Sequence, residues 1–205
     1  MILETVVVGA LEVNCYILAQ GPGHKAVIID PGDEEHKIKK ALARHRLSAG
    51  MVINTHGHYD HIGCDDAFGV PVYVHADDAG MLRDARRNYS AAVATPVRVA
   101  GSIQKLEDNQ VIDFDGIRLE VRHIPGHSPG GIALVLQAPV TGAVFTGDSL
   151  FCGNIGRTDL GGDEDALLAA IRGKLLNLEP ETVVYPGHGP SSTIADELRR
   201  NPFFS

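Results

Sequence analysis

One short segment, Thr55-His56-Gly57-His58-Tyr59-Asp60-His61-Ile62-Gly63, carries three histidines and an aspartate within six positions. In an extended stretch, side chains two residues apart point the same way, so His56 and His58 can face one metal ion. His61 breaks that alternation, with Asp60 beside it, and can face a neighbouring ion. Gly57 and Gly63 read as places where the backbone turns tightly. Three more donors sit in glycine-flanked junctions: Gly126-His127-Ser128, Gly147-Asp148-Ser149 and Gly187-His188-Gly189. Taken alone, His127 reads more often as a turn histidine than as a ligand, and Asp148 equally as a helix N-cap. Taken together, these seven nitrogen and oxygen donors are too many for one four-coordinate zinc. They suit two divalent ions, Zn2+ first, with Fe or Mn also compatible. Asp148 is the natural bridge, because a carboxylate has two oxygens. Asp60 and Asp148 are the expected catalytic carboxylates. A two-metal site makes hydroxide available as a nucleophile near neutral pH, which is hydrolytic chemistry at a carbonyl or similar centre. A thiolate leaving group has a pKa of about 8.5 and needs little help from an acid.

Each lone donor follows an apolar run, so strands must deliver them. Residues 1–19 read as two strands around Gly9-Ala10. Ala26–Asp30 reads as a buried strand ending at Asp-Pro-Gly. Over Glu34–Arg46, Ile38, Ala41, Leu42 and His45 make a helical stripe. Met51–Asn54 is a strand, Thr55–Gly63 a loop and Val72–Val74 another strand. Asp77–Arg87 is polar and reads as helical. Strand character returns at 103–105, 111–114 and 117–121, with Asp115-Gly116 as a hairpin turn. It continues at 132–137 and 143–146. Asp163–Leu176 is an amphipathic helix, Thr182–Tyr185 a last strand and Thr193–Arg200 a last helix. Both βαβ and hairpin order occur, which predicts a mixed α/β fold with two sheets and outer helices. The donors after strands would converge at one sheet edge, where α/β folds place sites. Asn88–Gly101 resists assignment.

The 205 residues fit one domain, 1–205. With 44% hydrophobic and 21% charged residues the composition is that of a globular chain. A net charge of −8 argues against a nucleic-acid backbone as partner. No apolar stretch reaches the length of a membrane span, and no signal peptide is read, so no membrane partner is expected. Three cysteines, Cys15, Cys64 and Cys152, form no disulfide framework, so a cytoplasmic location is expected. The other histidines, His24, His36, His45, His75 and His123, read as surface or packing residues.

The donor set, in this order, resembles the metallo-β-lactamase superfamily, and the likeness spans nearly the whole chain. Asp30 in Ile-Asp-Pro-Gly belongs to the same pattern. The likeness implies a four-layer αβ/βα sandwich. It implies that His56, His58 and His127 hold one metal, that Asp60, His61 and His188 hold the other, and that Asp148 is shared. Asp30 would orient a ligand. Within the superfamily, the chain is similar to the glyoxalase II (hydroxyacylglutathione hydrolase) branch at Asn14-Cys15-Tyr16, Gly147-Asp148-Ser149-Leu150-Phe151 and Ile155-Gly156-Arg157-Thr158-Asp159-Leu160. That implies hydrolysis of a small-molecule thioester such as S-lactoylglutathione. A mononuclear iron persulfide dioxygenase and a lactonase are the alternatives. The C-terminal helical domain typical of glyoxalase II, with its basic glutathione contacts, is not expected here. Two-zinc β-lactamases commonly use a Cys ligand where Asp148 stands, which argues against antibiotic hydrolysis. Arg157 is the candidate for a substrate carboxylate, with an ion pair to Asp159 or Asp163 as its other reading. Tyr59 is a second substrate contact, or packing. The run Arg83, Arg86 and Arg87 is either a solvated face or a lid.

Overall fold

The computed structural model describes residues 1–93 and 95–205. Two six-stranded sheets face each other. The first contains β1 (Ile2–Val8), β2 (Val13–Ala19), β3 (Lys25–Ile29), β4 (Ser48–Ile53), β5 (Val72–His75) and β6 (Ile103–Leu106), in chain order across the sheet. The first three pair antiparallel and the rest parallel. The second sheet draws on β7 (Val111–Phe114), β8 (Ile117–His123), β9 (Ile132–Ala138) and β10 (Ala143–Gly147). A small hairpin, β11 (Leu150–Phe151) and β12 (Asn154–Ile155), intervenes before β13 (Val183–Pro186) and β14 (Ser192–Thr193) complete that sheet in the order β14-β13-β10-β9-β8-β7. The helices are α1 (Glu35–Arg44), α2 (Tyr59–Ile62), α3 (Glu164–Lys174) and α4 (Ile194–Arg200).

Alternation along the strands separates three apolar layers. Tyr16, Leu18, Val27, Ile29 and Ile53 point inward and meet Leu119, Val121, Leu134 and Phe145 between the sheets. Cys15, Ile17, Ile28 and Val52 point outward and meet Ile38 and Leu42 of α1. Ala133, Val144 and Val184 meet Leu167 and Ile171 of α3 and Ile194 of α4. The result is the expected αβ/βα sandwich. Strands buried on both faces read as continuous apolar runs, which is why these segments were legible. The Asp115-Gly116 turn has positive φ at both residues, as a two-residue hairpin requires. Asp163 and Thr193 cap α3 and α4 through their side chains. No described helix is long and apolar enough to cross a membrane.

Two expectations need correction. Residues 77–87 form a series of turns rather than a helix. Aspartates compete with the helical backbone for hydrogen bonds: Asp84 Oδ1 accepts from the Arg86 amide, and the Asp78 carboxylate is turned inward onto two other loops. The 55–63 segment is not wholly extended, because Tyr59–Ile62 forms one helical turn.

Candidate metal centre

The seven donors meet at one edge of the sandwich, where the two sheets adjoin. His56, Asp60 and His61 follow β4; His127 follows β8; Asp148 follows β10; His188 follows β13. His58 precedes the helical turn that carries Asp60 and His61. That turn, absent from the extended reading, swings Asp60 and His61 away from the His56–His58 pair. His56, His58 and His127 offer donor atoms within 4.8 Å of one another, and so do Asp60, His61 and His188. Asp148 lies between the groups: Oδ1 is 3.4 Å from His61 Nε2, and Oδ2 is 3.7 Å from His127 Nε2 and 3.6 Å from His188 Nε2. Ligands about 3.3 Å apart are what a tetrahedral ion with bonds of ~2.0–2.1 Å requires.

Each of three imidazoles is fixed by its far nitrogen. His61 Nδ1 donates to Asp30 Oδ2 at 3.0 Å, His127 Nδ1 to the Arg157 carbonyl at 2.8 Å and His188 Nδ1 to the Leu11 carbonyl at 2.8 Å. This leaves each Nε2 directed into the cluster, an arrangement that orients metal ligands. His56 Nε2, His61 Nε2 and Asp148 Oδ1 are buried without a hydrogen-bond partner. Buried orphans of this kind are costly. Electron-pair donors converging without matching donors of hydrogen bonds fit a cation.

The electrostatics agree. Burial, with the neighbouring imidazoles, lowers the pKa of His56 and pushes that of His58 down to about 3, so both are neutral donors. Burial opposes ionisation of Asp148, but His61, His188 and His127 outweigh it and hold the carboxyl well below its ordinary range. Burial also opposes charge on His61, yet Asp148, Asp30 and Asp60 raise its pKa. The cluster is built to hold positive charge.

Asp30 also accepts from the Thr55 amide at 2.7 Å and the Thr55 hydroxyl at 2.6 Å, so it joins the end of β3 to the donor loop. Gly57 and Gly63 serve close approach rather than positive φ: a Cβ on Gly63 would strike the Gly32 carbonyl, and one on Gly57 would lie 2.7 Å from Met81 Cβ. Gly187 is about as tight as Gly63, since a Cβ there would collide with Asp148 Oδ1.

Arg157 lines the cleft with Tyr59, Asp60, His127 and Asp148. Its guanidinium is paired with Asp159 by two contacts of 2.7 Å and is 60% exposed, which is the ion-pair reading. Its carbonyl, not its charge, holds His127. Tyr59 is half-buried on the cleft wall, and burial beside Asp60 raises its pKa, so the phenol stays protonated. Arg83 donates to the Val99 and Gly101 carbonyls and so fastens its own loop. His75 and His123 stack at 3.9 Å, and His24 and His45 pair with Asp115 and Glu4.

Sequence reasoning missed Asp78, Tyr89 and Leu11. Asp78 is fully buried and accepts from the Gly57 amide at 2.9 Å, the Gly130 amide at 2.7 Å and the Ser128 hydroxyl at 2.7 Å. It ties the His56–His58 loop to the His127 loop. Its signal was an acid just past a strand, as with Asp30 and Asp148. Tyr89 packs edge-on against His58 and donates to the Leu160 carbonyl across the cleft. Asn14 and Tyr16, quoted above only for likeness, clamp the last loop: Asn14 Nδ2 donates to the Pro186 and Gly189 carbonyls, and Tyr16 OH donates to Pro186 at 2.7 Å.

A four-layer sandwich with a His/Asp cluster at the edge between its sheets defines a class of metal-dependent hydrolases. Residues 8–188 match the metallo-beta-lactamase superfamily, and the chain belongs to it. The chain is 32% identical to the hydroxyacylglutathione hydrolase GloC of Haemophilus influenzae, covering 100% of this chain and 99% of that one. The crystal structure of the BLEG-1 B3 metallo-beta-lactamase superposes with a TM-score of 0.92 at 36% identity, covering 100% of both chains. The structure of TTHA1623 in a di-iron-bound form superposes with a TM-score of 0.83 at 37% identity, covering 98% of this chain and 99% of that chain.

Proposed function

We propose that this chain is a binuclear, metal-dependent thioester hydrolase of the glyoxalase II type, acting on S-lactoylglutathione or a related hydroxyacyl thioester. The observation that carries the reading is the convergence of seven nitrogen and oxygen donors, with Asp148 between two groups of three, on an open cleft. The full-length likeness to GloC supports thioesters as the substrate class. Zinc suits the donors best, and the di-iron relative keeps iron in view. His56, His58 and His127 would hold one ion, Asp60, His61 and His188 the other, with Asp148 shared. When bound, the ions supply a hydroxide nucleophile at neutral pH and stabilise developing negative charge.

The chain's own residues do the rest. Asp30, Arg157 and Leu11 hold His61, His127 and His188 by their far nitrogens, so the near nitrogens need no reorganisation. Tyr59, as a protonated phenol, can donate to a bound carbonyl or leaving group. The thiolate, with a pKa of about 8.5, leaves without a strong acid. Arg157 can offer its outer face to an anionic group while paired with Asp159.

A second reading is β-lactam hydrolysis: Asp148 in place of Cys speaks against it, and the close superposition on BLEG-1 speaks for it. Metal quantification on the purified protein, followed by turnover of thioesters, lactones, persulfides and a β-lactam, separates the possibilities. Two metals per chain with thioester turnover is the expected result. One iron with oxygen consumed on a persulfide would overturn it.

A further inference from the structure

A second cavity, of about 430 Å³, adjoins the metal cleft. The two share Leu11, Tyr59 and Asp60 as a common wall. Beyond that wall the second cavity is lined mainly by Val8, Val13, Val93 and Val97, with Thr95 as its uncharged polar side chain. Its charged lining among the described residues is Asp33 and Asp60, both acidic, whereas Arg157 lies on the metal-cleft side. Leu11 is 52% exposed and Val93 39% exposed, so apolar surface stands open beside the site. The size falls within the roughly 300–1,000 Å³ of small-molecule pockets.

A substrate lying across Tyr59 and Asp60 has one arm in each cavity. Thiol carriers bear amides or charges, and apolar walls would leave those groups without partners. The acyl arm is the part of a thioester that can be pure hydrocarbon. We infer that the Val8–Leu11–Val93–Val97 cavity is an acyl-chain subsite selecting uncharged, straight aliphatic acyl groups and rejecting anionic ones. This assignment rests on the thioester reading and replaces its hydroxyacyl part: the preferred acyl group is longer and more apolar than lactoyl.

The test uses the metal-replete protein and N-acetylcysteamine thioesters of acetate, butyrate, hexanoate and succinate. Each methylene buried should raise kcat/KM about fourfold. Succinyl, the length of butyryl but carrying a carboxylate towards Asp33 and the apolar wall, should be at least about tenfold poorer than butyryl. Val93→Lys, at an exposed position that tolerates the change, should shift the butyryl-to-succinyl ratio towards succinyl by about tenfold or more. Calorimetric binding of acetate and hexanoate is measured in parallel. If the thioesters are cleaved with no dependence on chain length or charge, the subsite is wrong while the thioester reading survives. If no thioester is cleaved but hexanoate binds more tightly than acetate, and Val93→Lys abolishes the difference, the subsite stands and the thioester reading falls. Equal binding of the two carboxylates overturns the subsite.

Discussion

Replacing Asp78 tests whether the two donor loops are held by one buried carboxylate. In Asp78→Ala, the Gly57 amide, the Gly130 amide and the Ser128 hydroxyl lose their acceptor together. A buried polar group left unpaired costs about 1–3 kcal/mol. Three such groups would sum to roughly 3–9 kcal/mol, less the desolvation of the carboxylate itself and whatever water enters the space, so we expect a loss of about 3–5 kcal/mol. For a chain of this length that is a fall in Tm of roughly 6–20 °C. Asp78→Asn keeps one acceptor oxygen and turns the other position into a donor, so it should fall between wild type and alanine. The assay is urea unfolding of metal-stripped protein, read as the shift in midpoint at constant slope. Stripping matters because a bound ion adds its own stabilisation to the native state. Metal affinity should fall about 10–100-fold in both variants, as for other groups that orient ligands from behind. Two-state unfolding of Asp78→Ala with a loss under about 1 kcal/mol would refute the argument, because no unpaired trio could be that cheap.

Asp148→Ala should lose metal and activity together, because the removed carboxylate faces both groups of donors; full metal occupancy by elemental analysis would sink the shared role. Arg157→Ala should raise KM more than it lowers kcat, with metal content and unfolding midpoint unchanged, because its ion pair with Asp159 is exposed while its backbone carbonyl still holds His127. Loss of metal would instead make the side chain structural. Asp65 is fully buried, one of its oxygens lacks a partner, and burial raises its pKa well above the ordinary value. A carboxyl raised in the native state contributes most at low pH, below the unfolded value of about 3.9, and that contribution is lost as pH rises through the native pKa. Asp65→Asn, uncharged throughout, should therefore gain stability relative to wild type between pH 5 and pH 8. A wild type that gains on the variant over that range would contradict the sign.

The donors were legible because each is a chemically distinctive residue between glycines at a strand end. The strands were legible because burial on both faces leaves continuous apolar runs. What supports the donors was less visible. Asp78 sat in a polar stretch that reads as a solvated helix face; only its inward turn, set by loops 21 and 52 residues away, gives it a role. Tyr89 lies in the segment with no periodicity. Leu11 works through its backbone carbonyl, and a carbonyl leaves no mark on residue type. Arg157 carried the right type for anion binding, but its nearest acid, two positions along, takes the guanidinium first.

The clamp between Asn14, Tyr16 and the Pro186–Gly189 loop has a consequence for how the molecule comes together. Its contacts join positions 170 to 175 residues apart, and the Leu11–His188 contact spans 177. Contacts of such separation are formed late, since a long loop must close before they return anything. Four donors, by contrast, lie within residues 56–61 and emerge together during synthesis. A nascent chain therefore carries a local half-site long before His188 can reach it. The first hairpin waits through 170 to 175 further residues of synthesis for the loop it holds. Until that moment the side chains of Asn14 and Tyr16 lack the carbonyls they later bind, and this is the interval in which the growing chain most needs shielding from its neighbours.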